Sequence, residues 1–304
     1  MKMNTMQQRE RVQKWKTPNG TYALKRIQSL AHWQAIEQAY RLRIPLAIPI
    51  YETKKRNGQW YYTMPWLKEK TQPASSFFQD LARWHIHSVK DIQTTEAEIE
   101  RYYEERKHSL EQVKKTITHY IETCEKQWYM SPFQLQCCTH FLDVMRAISF
   151  SEHTLNEWRE RMREKKTVRI CYIHGRPSFQ HYVEREDGKS YFISFEQARW
   201  APPFHDLLFF FRQYLRTYPI TCDEAVQWLA QYEQILKLEE DERLLFFHLL
   251  VDPHRFVRLI HRYEQQRHDR QLTAAWQRAY WQMKNIEYVI GKWEEEKQTN
   301  QIQS

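Results

Sequence analysis

The side chains best suited to chemistry concentrate between residues 168 and 218. An apolar run, 168–173, ends in His174-Gly175, which sets an imidazole at the end of a strand-like segment. Glu196 follows a second β-rich run at 191–195, and Asp206 follows Pro202-Pro203 at the head of an apolar helical pattern, 204–215. Upstream, Lys25 lies between Ala23 and Ile27 on a strand face that is otherwise apolar. Such a lysine either meets an anion or a carboxylate, or snorkels its ammonium out to water. A carboxylate at a helix start meets free N–H groups and a favourable dipole, so Asp206 is read as structural rather than catalytic. Phosphate-cradling loops need glycines for positive φ and close backbone approach. The chain has five glycines, three of them in Asn-Gly or Asp-Gly pairs, which leaves no glycine-rich loop.

The elements that must position these groups can be read in order. Residues 12–16 and 21–27 flank Asn19-Gly20 and predict a hairpin. A helix over 30–42 follows, with Trp33, Ile36 and Tyr40 at helical spacing. Strands are expected at 47–52 and 59–64 around Asn57-Gly58, then a connector over 65–73. From there the pattern turns helical: 75–88, then a long charged helix at 95–127 that admits one break. Ser131-Pro132 starts a helix to about 149, and Ser151 or Glu152 stands near the start of another over 151–165. Tyr182-Val183, Asp187-Gly188 and 191–195 predict a hairpin inserted among the helices. Four more helices are expected at 221–236, 239–250, 253–267 and 272–296, then a frayed tail at 299–304. The order predicts an α+β protein of two lobes, a small β-rich one at 1–68 and a helical one at 69–298.

Composition narrows the class. The 304 residues are 41% hydrophobic and 15% aromatic, enough to bury a sizeable core. Lysine and arginine total 46 against 38 acids, a formal charge of +8. The basic residues are interleaved with acids, as at 152–166, which favours a solvated helical surface over a nucleic-acid groove. Five cysteines without CxxC spacing argue for reduced thiols and against a zinc site. Residues 1–11 are polar, without a signal-peptide pattern, and no apolar run reaches membrane-spanning length.

Tyr-Ile-His-Gly at 172–175, the Asp-Gly hairpin, Tyr-Phe-Ile-x-Phe-Glu-x-Ala at 191–198 and Pro-Pro-x-His-Asp-Leu at 202–207 together resemble the aminoglycoside phosphotransferase-like kinases. More narrowly, the chain resembles bacterial spore-coat kinase-like proteins of the CotS, YutH and YsxE type. The resemblance covers nearly the whole chain, most specifically 171–219, and implies the bilobal kinase-like fold with a truncated small lobe. It gives Lys25 the role of touching phosphates, held by a helix glutamate for which Glu37 is the candidate. It makes His174 and Asp206 structural residues of the His-Gly loop. It also implies a cytoplasmic protein of the mother cell that later joins the spore coat, with sporulation proteins as partners.

The sequence departs from the family at the positions that matter most. Arg176 stands where the resemblance implies the acceptor-orienting aspartate, His181 where it implies the magnesium-holding asparagine, and Ser194 where it implies the main magnesium ligand. Phosphoryl transfer depends on metal ions that neutralise phosphate oxygens and on a carboxylate that places the nucleophile. Magnesium prefers hard anionic oxygens, a serine hydroxyl is uncharged, and an arginine accepts no proton. Glu196 is the acid left nearby; it either binds a cation with His181 or pairs with Arg176 or Arg199. The expectation is a catalytically degenerate kinase-like protein, a pseudokinase, without functional ATP–magnesium ligands. The alternatives are a pseudoenzyme that binds a nucleotide or another anion, using Lys25 and Arg176, and a small-molecule phosphotransferase with atypical metal ligands.

Overall fold

The structure, a computed structural model, describes residues 12–18, 20–56, 58–66, 76–184, 188–266 and 269–302. Expectations placed on Met1 to Arg11, on Asn19, Asn57 and Asp187, on most of the 65–73 connector and on the last two residues lie outside these. Along the chain run β1 (Val12–Thr17), β2 (Gly20–Arg26), α1 (Leu30–Arg41), β3 (Glu52–Arg56), β4 (Gln59–Pro65) and α2 (Phe77–Ile86). Next come β5 (Lys90–Gln93), α3 (Glu96–Glu125), α4 (Pro132–Thr139), α5 (Phe141–Lys165) and β6 (Thr167–Ile173). A 3-10 turn (Phe179–His181) leads to β7 (Tyr182–Glu184), β8 (Ser190–Phe192) and β9 (Arg199–Ala201). The chain closes with α6 (Phe204–Tyr214), α7 (Asp223–Glu233), α8 (Glu240–Val251), α9 (His254–Gln266) and α10 (Asp269–Ile302). The class is α+β, as expected.

Two compact units emerge: Met1–Val89 with Cys171–Asp206, and Lys90–Ile170 with Leu207–Ser304. The first unit thus takes α2 and the 171–206 stretch, which the 68/69 boundary would place with the helices.

In the first unit β1-β2-β4-β3 form an antiparallel sheet. Its register sets Ala23 opposite Met64 and Lys25 opposite Tyr62, so these four side chains share one face. Ser29 caps α1 by accepting the His32 N–H at 3.2 Å. The strand expected at 47–52 lies instead at Glu52–Arg56. Pro45 and Pro49 explain the shift, because proline cannot donate to a ladder. Residues 46–48 run beside β8, where the Phe192 N–H donates to the Leu46 carbonyl and the Ile48 N–H to the Phe192 carbonyl. β9 had no counterpart in the sequence reading; it pairs with Cys171 to Ile173 of β6. The core of this unit is aromatic. Trp84 is fully buried, donates Nε1–H to the Tyr172 carbonyl at 2.7 Å and packs edge-on to Phe192 and Phe195.

The second unit is helical apart from β5, which pairs with residues 167–170 of β6. Thr95 and Glu98 form a capping box at the start of α3, which runs unbroken for 30 residues. A second box, Ser131 with Gln134, opens α4 with Pro132 in its first turn. The helix break expected near Ser151 falls at His140 instead. Ser151 is no cap: it is buried in mid-helix, 2.9 Å from His248 Nδ1, so its hydroxyl has a tertiary partner. The tail expected to fray at 299–304 is helical through Ile302. Among the described residues no helix is long and apolar enough to cross a membrane. The five cysteines are free thiols.

Candidate functional site

The site lies wholly within the first unit and begins at the end of β6. His174 has no exposed surface. Its ring is wired in both directions: Nε2–H donates to the Ile193 carbonyl at 3.0 Å, and Nδ1 accepts the Arg176 N–H at 3.2 Å. An imidazole that accepts at Nδ1 must be neutral. Burial agrees, pushing the His174 pKa down to about 4 against the opposing pull of Asp206.

Asp206, at the head of α6, is also fully buried. Its Oδ2 accepts the His174 N–H at 2.7 Å and its Oδ1 the Gly175 N–H at 2.8 Å. His85, on the apolar stripe of α2, approaches Oδ2 through Nε2 at 2.9 Å. Burial raises the pKa of this carboxyl, but His85, His174 and the backbone donors outweigh it and hold it below the ordinary range. The structural role assigned to His174 and Asp206 therefore has a geometry: a carboxylate clamps the backbone of the loop. Gly175 permits the clamp. Its φ is +83°, and a Cβ there would stand 2.1 Å from the Gln197 carbonyl oxygen.

Beyond the clamp the loop carries Arg176 and His181. The Arg176 side chain is exposed and makes no hydrogen bond or ion pair with the described residues. His181 Nδ1–H donates to the Arg176 carbonyl at 3.0 Å, and its N–H reaches the Ser178 hydroxyl at 3.2 Å. Burial lowers the His181 pKa, and the charges of Lys25 and Arg176 add to the effect.

The strand expected through 195 ends at Phe192, because Ser194 takes a left-handed conformation, φ 63°. That turn aims Ser194 and Glu196 at the sheet face carrying Lys25. The Lys25 ammonium donates to Ser194 Oγ at 2.8 Å and forms an ion pair with Glu196. Tyr62, opposite Lys25 in the register, donates its hydroxyl to Glu196 Oε1 at 2.8 Å. Burial raises the Glu196 pKa, but Lys25 and these hydrogen bonds win and hold it below the usual carboxylate range. The side chains of Lys25 and Glu196 are only 12% and 17% exposed.

Two sequence expectations are corrected here. Glu37 is not the partner of Lys25; it lines a cavity of about 620 Å³ with Arg26, Trp33 and Trp60. Glu196 pairs with neither Arg176 nor Arg199, because the turn at Ser194 delivers it to the lysine. Sequence reasoning also missed Tyr62 and His85. The signals were present: Tyr62 sits in the strand that pairs with the lysine strand, and His85 is a polar residue on an apolar helical stripe.

The arrangement does not suit a magnesium ion. Ser194 carries no charge and already accepts from an ammonium, and Glu196, the carboxylate beside it, is paired with that ammonium. Among the described residues, no group of three or more histidine, cysteine, aspartate or glutamate side chains is placed to hold a metal.

No family model matches the sequence, and neither does any curated protein. Solved structures do. The chain is similar to an aminoglycoside phosphotransferase from Alicyclobacillus acidocaldarius, with TM-score 0.66 and 14% identity over 94% of this chain and 90% of that one. It is also similar to a spectinomycin phosphotransferase solved with ADP and spectinomycin, with TM-score 0.50 and 11% identity over 93% and 89% of the two chains. At these identities the likeness shows the fold alone: this chain has the aminoglycoside phosphotransferase-like fold.

Proposed function

We propose that this chain, whose fold is that of the aminoglycoside phosphotransferases, has given up phosphoryl transfer and works as a pseudokinase. One observation carries the reading: the Lys25 ammonium is held by Ser194 and Glu196, inside the protein's own structure. The resemblance would have that ammonium face nucleotide phosphates and would have a carboxylate at 194 hold magnesium. Here a lysine and a glutamate neutralise each other, and the hydroxyl between them carries no charge to offer a metal. Arg176, at the position implied for the acceptor-orienting aspartate, cannot take a proton. The protein then acts through its surfaces. The resemblance to spore-coat kinase-like proteins supports a cytoplasmic, mother-cell origin and a role as a structural or interaction component in coat assembly.

The experiment is an incubation of the purified protein with ATP, Mg²⁺ or Mn²⁺ and a panel of amino and hydroxyl acceptors. The pseudokinase reading expects no metal-dependent turnover. Metal-dependent turnover that Lys25→Ala abolishes would instead favour a phosphotransferase with atypical ligands.

A second reading has support from Arg176, whose guanidinium is exposed and unengaged by the described residues. The loop would then bind a nucleotide or another anion without metal. Lys25 is not its partner in this, being committed to Glu196. Thermal shifts with nucleotides, lost in Arg176→Ala, would favour this reading over a purely structural one.

A further inference from the structure

A second cluster of charged side chains lies in the helical unit and uses none of the residues above. It forms where α3, the end of α6 and the first turn of α9 meet the residue that ends α8. That residue, Asp252, takes a left-handed conformation, φ 33°. Its Oδ2 lies 3.4 Å from Arg258 Nη2, and its Oδ1 lies 3.3 Å from His254 Nδ1. His254 Nε2 in turn faces the Ser109 hydroxyl at 2.6 Å. Three further guanidinium groups converge here. Arg212 interacts with the charges of Arg106, Arg258 and Asp252, and Arg255 with those of Arg258, Arg212 and Asp252.

The charges do not balance. Arg212, Arg255 and Arg258 share the one carboxylate of Asp252, Arg106 adds a further positive charge beside Arg212 while lying over the Tyr102 ring, and Arg106, Arg212 and Arg255 make no ion pair with the described residues. Burial and the mutual repulsion of the guanidiniums lower the pKa values of Arg212 and Arg255, despite the attraction of Asp252. Nor are the groups loose. Buried Gln282 donates to the Arg212 and Leu215 carbonyls and accepts from Arg255 Nη1 at 2.5 Å. Arg212 also donates to the Leu249 carbonyl. Braced, like-charged guanidiniums are a preorganised receptor for a compact, doubly charged oxyanion.

We infer that Arg106, Arg212, Arg255 and Arg258 form a binding site for a phosphate dianion, free or as a monoester. The Ser109 hydroxyl and His254, bonded to each other, stand at its edge. Asp252 orients His254 and Arg258, and competes with the ligand for their charge.

The test is a calorimetric titration of the full chain at pH 8 with inorganic phosphate, beside thermal unfolding in phosphate and in chloride of matched ionic strength. Wild type should gain about 2 °C or more in phosphate over chloride. Arg258→Gln alters a side chain that is 63% exposed and should keep its melting temperature in chloride. It should weaken phosphate binding roughly tenfold or more, the loss of one charge-assisted bond. Asp252→Asn should bind several-fold tighter, since asparagine tolerates the left-handed backbone while the competing charge is gone. A phosphoserine peptide set against its unphosphorylated form distinguishes a macromolecular source from free phosphate. Equal stabilisation by phosphate and chloride, or unchanged affinity in Arg258→Gln, would overturn the inference. Neither outcome bears on the Lys25 site.

Discussion

The Lys25 ammonium lies 2.8 Å from the Ser194 hydroxyl and is ion-paired to Glu196. Residues 169 positions apart thus join β2 to the turn after β8. A charge suited to gripping a ligand serves here as an internal tie, with Tyr62 closing the group from β4.

Removing one member should therefore cost more than an exposed salt bridge would. Lys25→Ala strands a largely buried carboxylate, and a loss of about 3 kcal/mol is expected. Lys25→Met with Glu196→Gln should recover much of it, because no unpaired charge remains. Urea unfolding followed by tryptophan fluorescence measures both; a single-variant loss under about 0.5 kcal/mol, the scale of an exposed pair, would contradict the tie.

Gly175→Ala tests the loop clamp. The added methyl meets the Gln197 carbonyl at 2.1 Å while the backbone sits at φ +83°. Backbone atoms must move, so the variant should lose at least 3 kcal/mol or fail to accumulate as folded protein. Gly188→Ala is the control. Its φ is +78°, but nothing lies within 4 Å of the added methyl, so only the backbone cost of roughly 1 kcal/mol is expected.

Asp206→Asn keeps the shape and removes the charge. One amide oxygen cannot replace two carboxylate oxygens accepting from His174, Gly175 and His85. A loss of about 2–4 kcal/mol is expected. Amide exchange should also rise at His174 and Gly175, and exchange as slow as in wild type would refute the clamp.

The pH dependence follows from His174 and His248, both buried and both lowered to about 4 from the ordinary histidine value of about 6.5. Between those values the unfolded chain binds protons that the folded chain refuses. Stability is then fully present above pH 6.5 and falls on acidification toward pH 4, by about 1.4 kcal/mol per pH unit for each histidine. Chemical denaturation across pH 4 to 7 reads the slope, and a flat profile would mean that these rings accept protons in the folded state.

Much of the fold was legible because its signals are local. The Ser131-Pro132 start of α4 and the helical spacing in α1, α3 and α6 need no tertiary information. The strands β5 and β9 were not legible, since short segments such as 90–93 carry no alternation and exist only by pairing with β6. The site divided in the same way. His174, Asp206, Arg176, His181 and Ser194 could be named from motif order. The partner of Lys25 could not, because it depends on the left-handed turn at Ser194, a backbone choice that serine does not announce. Ser151 misled for the complementary reason: a residue that caps helices well was instead recruited by His248 across the core.

The central claim, that Lys25, Ser194 and Glu196 complete one another and leave no seat for a metal-bound nucleotide, has a direct measurement. Titrate the wild-type protein with ATP in the presence and absence of Mg²⁺ and follow phosphate release and transfer to acceptors. The account predicts no metal-dependent binding and no turnover. Saturable, magnesium-dependent binding with turnover that disappears in Lys25→Ala would contradict it.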